Sequence, residues 1–142
     1  VDRGQTQLVL QEGAERLTIA VPRDDSVAPE QPPTRVTVVA STPGALVITD
    51  SYPSAPGGLS YCQAGEETFL RVIATAGDRA ERRYDLKVAS CRGNLELADP
   101  GIEWFPATNV LRVSWLMGPH GHGETRMVTI TSDGRVEPSN SQ

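Results

Sequence analysis

Apolar and polar positions alternate with a period of two along much of the chain, and no stretch sustains the spacing of an amphipathic helix. Tyr84, Leu86 and Val88 alternate with Asp85 and Lys87, the pattern of a strand buried on one face. Leu17, Ile19 and Val21 alternate with Thr18 and Ala20 in the same way. The clearest two-faced pattern lies further on, where Leu111, Val113 and Trp115 alternate with Arg112 and Ser114. Ile102 and Trp104 precede it across the turn Phe105–Asn109, which puts Trp104 and Trp115 on the buried face of one strand pair. Other strands announce themselves by composition: Val36–Val39, Phe69–Ala74 and Met127–Thr131 are rich in β-branched or aromatic residues.

Turn chemistry separates these runs. Gly13 sits between the first two, Gly77-Asp78 and Asp133-Gly134 between later ones, and Pro43-Gly44 suits the central positions of a type II turn. The reading is an all-β, single-domain sandwich or barrel of about ten short, mostly antiparallel strands. One local rival is a helix over 62–70, where Gln63-Ala-Gly-Glu-Glu tolerates helix apart from its glycine.

Four prolines between Pro22 and Thr34 keep that segment out of a central sheet, because proline has no amide to donate. The expected organisation is a strand pair or arm over 1–21, a proline-rich loop or linker over 22–34, a main β-domain over 35–137 and a frayed tail over 138–142. Asp50–Ser60 reads as a second irregular stretch, and Gly118–Glu124 as a glycine-rich loop.

The two cysteines, Cys62 and Cys91, flank the predicted hairpin of Phe69–Ala74 and Arg82–Ser90, so its open end brings them together. A disulfide there closes a loop of roughly 30 residues and contributes about 3–4 kcal/mol in the chain-entropy model. It implies an oxidising compartment, hence a periplasmic or secreted protein. The competing reading is a pair of buried thiols in the cytosol. There is no Cys-x-x-Cys and no finger-spaced histidine. The first residue is Val1 rather than Met, which fits a mature or truncated form without its targeting segment. Lys87 is the only lysine against twelve arginines, a bias that points to a GC-rich bacterial coding sequence.

At 142 residues and 38% hydrophobic content the chain is long enough for a proper core. No apolar run reaches membrane-span length, so no integral membrane segment is expected. A net charge of −5 argues against a nucleic-acid partner.

Catalytic constellations are sparse. Gly58-Leu-Ser-Tyr-Cys nearly spells a nucleophile elbow but lacks its final glycine and its strand-to-helix context. Asp24-Asp25 and Glu66-Glu67 are sequence neighbours, which point apart on extended backbone. Both histidines, His120 and His122, stand in one loop with Glu124 behind them, a set that Zn²⁺ or Cu²⁺ suits. Tyr52, Tyr61, Met117, His120 and His122 are the candidate partner-binding residues, since tyrosine and methionine favour interfaces. The expectation is a non-enzymatic, exported bacterial protein that binds a protein partner through loops. An envelope hydrolase inhibitor or immunity-type protein is its concrete form, with Asp50–Ser60 or Gly118–Glu124 as the inserting element. The alternatives are a metal-binding protein using His120 and His122, and a structural accessory domain of an envelope assembly.

Overall fold

The computed structural model describes residues 5–12, 15–24, 26–28, 31–55, 65–75 and 80–139, and holds no helix among them. The strands are β1 (Gln5–Glu12), β2 (Glu15–Pro22), β3 (Arg35–Ser41), β4 (Ala45–Pro53), β5 (Glu66–Ala74) and β6 (Glu81–Ser90). β7 (Glu96–Phe105), β8 (Val110–Gly118), β9 (Gly121–His122), β10 (Thr125–Ile130) and β11 (Val136–Pro138) follow. All pairings are antiparallel.

Three layers result. The first sheet has the order β3-β4-β5-β6, and the second has β11-β10-β8-β7 with β9 also on β8. Their facing sides share one core. Val47, Leu70, Val72 and Val88 from the first meet Leu111, Val113, Trp115, Val128 and Ile130 from the second. Trp115 is the largest buried side chain, and its indole N–H donates to Val88 O at 2.8 Å. Trp104 packs against this core while remaining partly exposed. The third layer, the β1–β2 hairpin, covers the opposite face of the first sheet, where Leu8, Ile19 and Val21 pack on Ile48 and Ile73.

This second cover explains why Phe69–Ala74 lacks alternation. Leu70 and Val72 face the second sheet, whereas Ile73 faces the hairpin, so every residue of β5 after Glu66 is buried. A strand covered on both faces reads as a continuous apolar run. The described part of 22–34 extends the cover. Val27 packs on Tyr52 and Phe69, and Ala55 N donates to Ser26 O at 2.6 Å.

Several expectations change in detail. The count is close to expectation, with eleven strands among the described residues. The strand of Ile102 and Trp104 starts earlier than its alternation marks: β7 begins at Glu96, and its register shifts between Leu97 and Ile102. Pro100 falls within the shift, at a sheet edge where a missing amide leaves no ladder bond unmade. Asp50–Pro53 belongs to β4 rather than to an irregular stretch. Residues 66–70 are strand, against the helical rival. Gly44 is not among the glycines with positive φ, so the turn is not type II. Its glycine is needed instead for close approach, since a Cβ there would lie 2.0 Å from Ser132 O. Cys62, Tyr61 and Gly77-Asp78 fall outside the described residues, and with them the expected disulfide partner of Cys91.

Candidate functional site

The hairpin of β8 with β9 and β10 carries the histidines. Met117 pairs with His122 and Gly118 with Gly121, leaving Pro119-His120 as a two-residue turn. Beyond it the chain bulges at Gly123 (φ 69°), whose amide donates to Leu116 O at 3.0 Å, and rejoins β8 through Trp115 N to Glu124 O at 2.8 Å. The Glu124 side chain folds back under the turn. It accepts from His120 N at 2.7 Å through one oxygen, and its other oxygen lies 2.9 Å from His120 Nδ1. These hydrogen bonds hold the Glu124 carboxyl below its ordinary value, the ring contact contributing most and the backbone amide next. The ionised carboxylate only accepts, so Nδ1 carries the proton in this contact. Gly118 makes room for it: a Cβ there would stand 2.7 Å from Glu124 Oε1.

The tip is thus internally tied, and its outer surface mixes one large apolar side chain with both histidines. Leu116 is 54% exposed, one of four large hydrophobic side chains left in solvent among the described residues. Pro119, His120 and His122 are exposed beside it, and Met117 is half-buried. Both Glu124 oxygens face His120, so Glu124 stands behind that ring rather than beside it as a further ligand. Among the described residues no three His, Cys, Asp or Glu side chains group so as to hold a metal ion.

Tyr52 lies elsewhere. It is fully buried on the hairpin-covered face of the first sheet, and its hydroxyl donates to Asp50 Oδ2 at 2.6 Å. That removes it from the surface expected of a partner-binding residue. Asp50 accepts twice more from Arg71, from Nε at 2.9 Å and from the guanidinium terminus at 2.8 Å. Arg71 also reaches Asp85 at 2.9 Å. Burial disfavours its charge, but the two carboxylates outweigh that and hold Arg71 cationic. Beside them lies Glu67, buried, accepting from Ser54, Ser90 and the Arg92 amide and paired with Lys87 at 3.2 Å. Burial pushes the Glu67 carboxyl up, yet these donors together bring it below its ordinary value. This polar layer is an interior framework: its charges are neutralised and its oxygens occupied.

A shallow cleft of ≈ 340 Å³ opens between β6 and the β10–β11 edge, lined by Arg83, Tyr84, Arg126, Met127, Val128 and Val136. Its arginines are already engaged, Arg83 with Glu81 at 2.8 Å and Arg126 near Glu124 at 3.9 Å.

Comparison with protein-family models, with curated proteins and with solved structures finds no match to this chain. The geometry adds Leu116, which strand alternation alone marks only as the residue opposite buried Trp115, and the Arg71–Asp50 pair. Arg71 did leave a trace: it interrupts an apolar run, where a charge needs a partner.

Proposed function

We propose that this protein is an exported binding domain that engages a protein partner through the β8–β9 tip. The observation that carries this reading is the tie of Glu124 to His120 in a tip whose flanking strand leaves Leu116 exposed. A loop already fixed in one shape loses little entropy on binding, and an exposed apolar side chain on the adjoining end of β8 supplies a desolvation gain. The rigid two-sheet core behind it suits recognition loops rather than moving catalytic parts. An envelope hydrolase is the preferred partner, the tip entering its cleft as an inhibitor or immunity-type protein would.

The periplasmic or secreted setting rests on a Cys62–Cys91 disulfide, also part of this proposal. Its support is local. The Cys91 amide donates to Glu66 O at 3.2 Å, which sets Cys91 beside the chain that follows Cys62. Gly65 lies against the Cys91 side chain as well, since a Cβ added to it would stand 2.9 Å from Sγ.

Affinity capture from envelope extract, using wild type and Leu116→Glu, tests the function. One stoichiometric protein retained by wild type and lost with Leu116→Glu is the expected result. Equal capture by both variants, or none by either, contradicts it.

A further inference from the structure

The four outer edges of the two main sheets are not alike. β6 carries Arg82, Arg83, Asp85 and Lys87, and its register shifts twice against β5. β7 carries Glu96, Asp99, Pro100 and Glu103, and its register breaks between Leu97 and Ile102. β11 has only 3 residues and ends in Pro138. Charge, proline, bulges and shortness are the devices by which sheets avoid pairing with other chains. β3 has almost none of them. From Val36 to Val39 it has neither charge nor proline, with Arg35 only at its start and a bulge only at its far end, between Val38 and Ala40. Val36 and Val38 stand in solvent at 46% and 60% exposed, Thr37 is exposed as well, and Val39 packs half-buried against the core. Among the described residues no backbone group outside the β4 ladder bonds to Val36–Val39.

We infer that β3 is a strand-pairing interface and that its occupant is a second copy of this chain. Unpaired amides and carbonyls along a strand are matched by another strand. The segment is self-complementary about Thr37. With a two-fold axis there, antiparallel pairing sets Val36 of one copy against Val38 of the other, and Thr37 against Thr37. β-branched and Thr–Thr pairs are favourable cross-strand partners, and no like charges meet across the axis. The first sheets of two copies join into one. The ladder is short, so the dimer belongs with small, weak and transient interfaces. Each copy carries −5, so long-range repulsion opposes pairing and added salt strengthens it.

Sedimentation velocity from about 10 to about 500 µM, a range that brackets weak interfaces, tests this. The panel is wild type, Val38→Lys, Val36→Lys and, as a control, Val9→Lys, since Val9 is 50% exposed but lies on β1. Wild type and Val9→Lys are expected to shift from monomer to dimer with concentration and with salt. Both β3 variants are expected to stay monomeric with melting temperatures within a few degrees of wild type. A wild type that is monomeric throughout overturns the inference. So does equal loss of association in Val9→Lys, or a dimer that salt dissociates.

Discussion

At the scale of single residues, the strongest constraints are buried charges that alternation hides. Asp50 opens the stretch expected to be irregular and Glu67 is one of two neighbouring acids, so nothing local marks either as buried, yet both are. Tyr52 is misread for the same reason: it precedes a proline- and glycine-rich stretch, and nothing local reveals that Val27 and Arg23 cover it. The pair Arg71–Asp50 has both side chains fully buried, so removing Asp50 leaves the buried guanidinium with Asp85 as its one carboxylate. Asp50→Ala is expected to lower stability by about 3–5 kcal/mol in urea unfolding, whereas Asp50→Leu with Arg71→Met loses much less. Glu67 contributes to the acid limb. Its native value lies below the ordinary 4.5, so as pH falls past 4.5 the unfolded chain takes up protons before the native state does. The stability from its hydrogen bonds is complete above that pH and is lost as pH falls toward the lowered native value. Asp24, also lowered from 3.8 by Lys87 and Ser26 against the opposing effect of burial, adds to the loss at lower pH. Glu67→Gln is expected to flatten this slope in acid denaturation monitored by circular dichroism.

At the scale of elements, the strands were legible and their layering was not. Leu111, Val113 and Trp115 mark β8 because one face is wet, and the observed core uses those residues. Pro22–Thr34 shows only that it cannot be a central strand. That its described part lies on the first sheet depends on Val27 meeting Tyr52 and Phe69, contacts distant in sequence. The tip was visible as a glycine-rich histidine loop, but its internal tie was not, since Gly118 and Gly123 identify turns without saying what fills the space beneath them. The tie makes a local forecast. His120→Ala removes the ring contact that contributes most to lowering Glu124, so the Glu124 carboxyl is expected to move up toward 4.5. A carboxyl-detected NMR titration reads this directly, and an unmoved Glu124 contradicts the arrangement.

At the scale of the whole molecule, two sheets and a hairpin place the first sheet inside, with the β8–β9 tip projecting from the second. The all-β architecture was legible because turn signals recur at short intervals; the third layer was not, because Leu8, Ile19 and Val21 look like any half-buried strand. Intact mass with and without reduction and alkylation is expected to show one Cys62–Cys91 disulfide, and reduction to lower stability by about 3–4 kcal/mol. Free thiols in a stable protein would remove the main support for export. The central claim is recognition through the tip, and a photo-crosslinking amino acid at Leu116 in cells that naturally produce the protein tests it most directly. The account predicts one discrete adduct from Leu116, absent from a control position at exposed Arg135 and weakened by His120→Ala. No adduct at Leu116, or the same adducts from Arg135, would contradict it.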